Sequence, residues 1–220
     1  MIILFDLDGT LIDSTEAILE SFHNSFNIHN YPYPSDEAIK ALIGHPLDIM
    51  YKDLGVNKDL VWDFVDTYKE HYRKISTQKT KLLDLASQAV ILASEFATIG
   101  IVTTKTGRYS RVLMEHFELM EYFEVLIGRE DVEKPKPNAE PILKALDVLE
   151  DKNQEIWMIG DTKLDLISAK NANVNSIGVL SGYDTKATLQ NYTDFIFDNT
   201  YEAIKFLKNR NKQHTLPSKN

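Results

Sequence analysis

Residues 2–5 read Ile-Ile-Leu-Phe, and the run stops on Asp6-Leu7-Asp8-Gly9-Thr10. Four successive apolar residues read as a buried strand, and Gly9 ends it. Two carboxylates spaced i, i+2 at a strand end repel each other unless a cation sits between them. A hard divalent ion with oxygen ligands fits that need, and Mg2+ suits phosphate chemistry. Taken alone, the same residues equally fit the opening of a turn. They do not fit an EF-hand loop, because the glycine comes too early and no Glu follows at the required distance.

The rest of the chain alternates short apolar runs with helical patterns. Strands are predicted at Ile2–Phe5, Thr98–Thr103, Val125–Ile127, Ile156–Ile159, Ser176–Leu180 and Phe195–Phe197, and helices at about 84–95, 107–120, 138–149, 163–172 and 200–208. Such alternation implies an α/β fold: a Rossmann-like parallel sheet covered on both faces. One stretch breaks the rhythm. From Ser14 to about Lys81 the sequence reads as helix, with Ile18, Phe22 and Phe26 repeating every fourth residue and Leu60, Phe64, Tyr68 and Tyr72 doing the same. These aromatics are expected to form a bundle core, and Asp13 with Glu16 resembles a capping box for the first helix. The expected organisation is a catalytic core of 1–13 and 82–208, an inserted helical cap of 14–81, and a flexible basic tail at 209–220. An insert after the first strand would lie over the carboxyl ends of the sheet strands, where open α/β folds bind ligands.

Composition excludes several functions. The 220 residues include no cysteine, which rules out disulfides, thiolate zinc sites and a cysteine nucleophile. A net charge of −9 argues against nucleic acid or anionic lipid as partners. No signal peptide or membrane-spanning run is evident, so a cytoplasmic protein is expected, as a monomer or homodimer.

Three further groups complete a pattern with Asp6 and Asp8. Thr103 and Thr104 close the strand in Ile101-Val102-Thr103-Thr104-Lys105; Lys134 opens Lys134-Pro135-Lys136-Pro137; and a later strand runs into Gly160-Asp161-Thr162-Lys163-Leu164-Asp165. In a parallel sheet such strand ends converge on one edge. In order and spacing these motifs resemble the haloacid dehalogenase superfamily, within its phosphoglycolate phosphatase-like group, and the helical stretch matches that group's cap.

The resemblance implies an enzyme, a phosphoric monoester hydrolase, with Mg2+ as cofactor and a small phosphorylated metabolite as substrate. It implies Asp6 as the nucleophile that forms an aspartyl-phosphate, and Asp8 as the general acid and then base. It implies Thr103 and Lys134 as catalytic groups holding phosphoryl oxygens, helped by the backbone of Thr104. The metal would be held by Asp6, the Asp8 carbonyl and Asp161, with Asp165 as an accessory ligand or supporting partner. His45, in the cap stretch Ile43-Gly44-His45-Pro46, with Lys105 and Arg108, are candidates for substrate contact. A phosphoglycolate-like monoester leads; pyrophosphate, sugar phosphates and nucleotides are alternatives, because the cap selects the leaving group. A dehalogenase is disfavoured, since that branch lacks an acid at the position of Asp8. A phosphomutase is disfavoured by Gly160 where that branch has Glu. A non-catalytic phospho-acceptor or a relict regulatory protein is the remaining alternative. Two departures stand out: Thr80–Leu85 lacks the group's aromatic-Pro-Gly stretch, and Asn173 replaces a glycine after the helix at 163–172. Asn tolerates the left-handed turn required there.

Overall fold

A computed structural model describes residues 1–149 and 154–215. Strand β1 (Ile2–Phe5) is followed by a two-residue strand β2 (Ile12–Asp13), then by helices α1 (Thr15–Ile28), α2 (Asp36–Lys40), α3 (Leu47–Asp53) and α4 (Val61–Lys79). The chain returns through β3 (Lys81–Leu82) and continues as α5 (Ala86–Ser94), β4 (Thr98–Val102), α6 (Gly107–His116), β5 (Val125–Ile127) and α7 (Glu140–Leu149). It closes with β6 (Ile156–Gly160), α8 (Lys163–Asn171), β7 (Asn175–Val179), α9 (Lys186–Leu189), β8 (Ile196–Phe197) and α10 (Thr200–Thr215).

Six strands form one parallel sheet in the order β5-β4-β1-β6-β7-β8. β1 lies near its centre, with Phe5 beside Ile101 on one side and Ile159 on the other. Its side chains alternate between the two faces of the sheet. Ile3 and Phe5 join Val90, Ala93, Ile204 and Leu207 from α5 and α10, while Ile2 and Leu4 join Ile142, Leu146 and Ala169 from α7 and α8. Burial on both sides explains why β1 is apolar without alternation. Each of its four buried side chains contributes about 1.5–3 kcal/mol.

The helical stretch keeps a core of its own. Phe22 and Phe26 of α1 meet Tyr51 of α3 and Phe64 and Tyr68 of α4. Ring centroids of Phe22 and Tyr68 are 5.1 Å apart, and the Tyr51 and Ser25 hydroxyls are 2.5 Å apart. The aromatic periodicity read in the sequence is therefore core packing. Tyr109 of α6 also enters this cluster and ties it to the sheet portion.

Several local expectations need correction. The expected Asp13–Glu16 capping box does not form: Ser14 is the N-cap residue of α1 and its side chain makes no cap bond. Its hydroxyl donates to Asp8 Oδ1 instead. β2 and β3 pair antiparallel, Ile12 with Leu82 and Asp13 with Lys81, so the chain leaves and re-enters the sheet portion through a short ribbon. Where the aromatic-Pro-Gly stretch is missing, Leu85 takes φ +61 as the residue before α5. Asn173 has φ +57, the left-handed turn expected of it. The final helix extends to Thr215, beyond the expected end at 208. The rest of the expected tail, 216–220, lies outside the described residues. No helix among the described residues is long and apolar enough to cross a membrane.

Candidate active site

The carboxyl ends of β1, β4 and β6 carry the acidic and hydroxyl residues to one edge. Asp6, immediately after β1, is 3% exposed. Asp161, immediately after β6, is fully buried: Oδ1 accepts from Thr10 Oγ1 at 3.0 Å and Oδ2 from the Tyr183 N–H at 2.9 Å. The backbone closes tightly around it. A Cβ on Gly9 would come within 2.3 Å of Asp161 Oδ2, and one on Gly182 within 2.0 Å. Gly9 also has φ +80, which favours glycine on its own account.

The lysine at this site is Lys136, not Lys134. The Lys136 ammonium is buried, 3.0 Å from Asp6 Oδ1 and 2.5 Å from Asp165 Oδ1, and donates to the Val102 carbonyl at 3.0 Å. Lys134 is exposed, and its backbone N–H donates to Glu140 Oε2 at 3.0 Å. Two lysines separated by one proline are indistinguishable by composition, and only the path of the loop decides which turns inward.

Asp165 plays a narrower part than a free metal ligand. It lies within the same acidic cluster as Asp6 and Asp161, but Oδ1 faces Lys136 and Oδ2 accepts from Thr162 N–H at 3.1 Å and Thr162 Oγ1 at 2.7 Å. It caps α8 and aims Lys136. The Asp8 carboxylate likewise turns away from the cluster: Oδ2 is 3.0 Å from Lys105 Nζ, and Oδ1 accepts from Ser14. Any metal contact by Asp8 therefore falls to its backbone carbonyl.

Burial dominates the electrostatics. It raises the Asp6 carboxyl to about 6, with Asp165 and Asp8 adding to the rise and Lys136 opposing it. Burial, then Asp165 and Asp6, push Asp161 well above the usual carboxylate range. For Lys105 and Lys136 burial opposes the charge, but Asp8 and Tyr72 for the first, and Asp165 and Asp6 for the second, outweigh it and hold both ammoniums charged. These shifts disfavour the simultaneous ionisation of Asp6 and Asp161 unless a cation offsets their charge. Asp6 Oδ1 makes no hydrogen bond among the described residues, its contact with Lys136 being ionic without hydrogen-bond geometry. Oxygen donors of Asp6, Asp161 and Asp165 lie within 4.8 Å of one another. A hard divalent cation fits this donor set and this charge.

The other expected contacts divide. Thr103 is buried, and its Oγ1 accepts from the Lys105 N–H at 3.2 Å, which leaves its own proton to donate. Thr104 Oγ1 donates to the Gly44 carbonyl at 2.9 Å, a bond between the sheet portion and the helical stretch. Lys105 makes a second such link, donating to Tyr72 OH at 3.0 Å. Thr15 Oγ1 and Tyr183 OH, 2.9 Å apart, make a third.

A cavity of about 250 Å3 lies between the two portions, bordered by Asp8, His45, Thr104 and Lys105. Burial lowers the His45 imidazole pKa and favours its neutral form, against a rise from Asp53. Arg108 does not border the cavity; it stacks over Tyr109 at 4.8 Å and donates to that hydroxyl at 3.0 Å. Arg129 and Glu130 border it instead, and no motif in the sequence marks them. Ser14 and Tyr183, which position Asp8 and Asp161, are also unmarked, and Thr10 lies in the opening motif, which assigns it no role.

A parallel six-stranded sheet with an acidic cluster and a buried lysine at its strand ends, and a helical insert after its first strand, defines an α/β protein of Rossmann-like architecture. The family model for haloacid dehalogenase-like hydrolases matches residues 3–179, and the chain belongs to that family. Among curated proteins it is similar to pyrophosphatase PpaX of Halalkalibacterium halodurans, 36% identical over 177 residues, covering 79% of this chain and 80% of the relative. Pyrophosphatase PpaX of Bacillus cereus strain B4264 is 30% identical, with 96% and 97% covered. Among solved structures, a haloacid dehalogenase-like family hydrolase of Streptococcus pneumoniae superposes with a TM-score of 0.84 at 26% identity, with 94% of this chain and 97% of that one covered.

Proposed function

We propose that this chain is a Mg2+-dependent phosphomonoesterase acting on a small phosphorylated metabolite through an aspartyl-phosphate on Asp6. The observation that carries this reading is the division of labour at one strand end. Asp6 faces Lys136 and the acidic cluster, while Asp8, two residues on, faces the cavity and Lys105. Asp6 attacks phosphorus in line, and the leaving alkoxide departs on the Asp8 side. Asp8 protonates it, then takes a proton from the water that hydrolyses the phosphoenzyme. The Lys136 ammonium and Thr103 hydroxyl hold transferring phosphoryl oxygens. Asp165, paired with Lys136, keeps that ammonium aimed. Asp6, Asp161 and the Asp8 carbonyl would hold Mg2+, whose charge would let a carboxylate approach a phosphate dianion. Unscreened by a cation, each pair of unit charges about 4 Å apart costs roughly 4 kcal/mol at an effective dielectric near 20.

A second reading, pyrophosphate hydrolysis, is favoured by the names of the relatives at 30% and 36% identity. The test is phosphate release from phosphoglycolate, sugar phosphates, nucleotides and pyrophosphate, with and without EDTA, beside an Asp6→Asn control. Acid-quenched reactions with a radiolabelled phosphoryl group should retain label on the wild type and none on Asp6→Asn. Turnover by Asp6→Asn above a thousandth of wild type, or full activity in EDTA, would refute the mechanism. No release from any substrate by folded protein would favour a relict regulatory role.

A further inference from the structure

We infer that the leaving group this site accepts is an apolar, ring-sized alcohol rather than a second phosphate or a carboxylate. The inference rests on the phosphatase reading above, because it takes Asp8 as the group that protonates the departing oxygen. Of the four carboxylates at the site, only Asp8 borders the cavity. Whatever leaves past Asp8 therefore enters that space.

The walls of the space are apolar and aromatic: Ile18, Met50, Val65, Tyr68, Tyr72 and Tyr109. All six are buried, and none carries a formal charge. The Tyr68 and Tyr72 rings stack with centroids 5.6 Å apart, and Tyr109 lies 6.3 Å from Tyr72. The indole of Trp62, 60% exposed, stands at the border.

The charges at the border cancel. Three cations, Lys69, Lys105 and Arg129, and three carboxylates, Asp8, Asp48 and Glu130, line the cavity. Lys105 is matched by Asp8 at 3.0 Å, and the Arg129 guanidinium donates to the Val132 carbonyl at 3.0 Å. A departing phosphate or glycolate needs an excess of cations or aimed N–H donors to replace its hydration. The formal charges lining this cavity balance in number, whereas an apolar body loses water at no polar cost. The volume, about 250 Å3, is enough for one substituted ring.

The experiment compares kcat/KM for benzyl phosphate, phosphoglycolate and pyrophosphate with Mg2+ present, in the wild type and in Trp62→Ala. Trp62 is exposed enough for that variant to fold. Benzyl phosphate should lead by at least about 100-fold, and its advantage over phosphoglycolate should fall at least about tenfold in Trp62→Ala. Phosphoglycolate or pyrophosphate leading would overturn the inference and leave the phosphatase reading standing. If no phosphate is released from any of them, calorimetry on the wild type separates the two claims. Benzyl phosphate binding that is tighter than phosphoglycolate and weakened in Trp62→Ala would uphold the pocket and refute the phosphatase. Absence of that preference would refute both.

Discussion

Replacing Lys136 by Met tests the proposed role of this lysine, in place of Lys134, and the electrostatics together. The ammonium sits 3.0 Å from Asp6 Oδ1 and 2.5 Å from Asp165 Oδ1, with almost no exposure. At an effective dielectric near 20, each contact is a gross attraction of roughly 5–7 kcal/mol. Most of this offsets the cost of removing the ammonium from water, so the gross figure is not the net one. Removing one partner of a buried pair typically costs about 3–5 kcal/mol, because the carboxylates stay behind uncompensated. Against a usual total of about 5–15 kcal/mol, Lys136→Met should be folded but visibly weakened. Its denaturant midpoint should fall with little change in slope. Phosphate release should fall at least about 100- to 1,000-fold, as for loss of an oxyanion donor. Lys134→Met, made in parallel on the exposed lysine two residues earlier, should match the wild type in both measurements. If Lys134→Met loses activity while Lys136→Met keeps it, the assignment of the buried lysine is wrong. If Lys136→Met is as stable as wild type, the ion pairs are not what holds this loop.

Three further outcomes follow from the same geometry. Gly182→Ala places a Cβ 2.0 Å from Asp161 Oδ2 and so must displace that carboxylate or the loop; Mg2+ titrated against activity should show weaker binding, and an unchanged metal requirement would contradict the role of Asp161. In metal-free protein the Asp6 carboxyl, raised from 3.8 to about 6, holds its proton more tightly folded than unfolded, so its contribution is fully present below about pH 4 and is lost as pH rises through 6, by an amount of order 3 kcal/mol, with Asp161 acting in the same direction. Denaturation at a series of pH values in EDTA checks this, and Mg2+ should restore stability at the upper end of the window. Lys105→Met removes both the partner of Asp8 and the bond to Tyr72; kcat should fall more than KM rises, and an effect confined to KM would show that Lys105 only binds substrate.

Much of the fold was legible because it is written in burial. β1 is apolar at four successive positions because both of its faces are covered, and the cap stretch repeats aromatics every fourth residue because one side of each helix faces the bundle. The acidic residues were legible because Asp6, Asp8 and Asp161 follow strands at fixed places and Asp165 lies in the first turn of the helix after β6. What stayed hidden depends on short or non-periodic features. The β2–β3 ribbon has two residues per strand, too few to show a period. Lys134 and Lys136 differ only in the direction the loop turns them. Arg108 and Arg129 both follow strands by a few residues, yet Arg108 folds back on Tyr109 while Arg129 reaches the cavity. The last helix runs past Lys208 because α10 docks on α5 and the sheet through Ala203, Ile204 and Leu207, which then carries a polar continuation with no apolar stripe of its own.

The central position of β1 also sets an order of events at the ribosome. The strand is synthesised before its neighbours: β4 begins at Thr98 and β6 at Ile156. At about 5–20 residues per second, β1 waits roughly 8–30 s for its second partner. Meanwhile α1 to α4, whose aromatic core is drawn almost wholly from residues 17–72, can collapse on themselves. A bare Ile-Ile-Leu-Phe segment is an invitation to cross-chain pairing during that interval, and charges flanking such a segment discourage it. Asp6 and Asp8 are those charges. The two carboxylates assigned to chemistry thus guard the nascent chain before any active site exists, and an Asp6→Ala, Asp8→Ala double variant should yield less soluble protein from the same translation reaction than wild type.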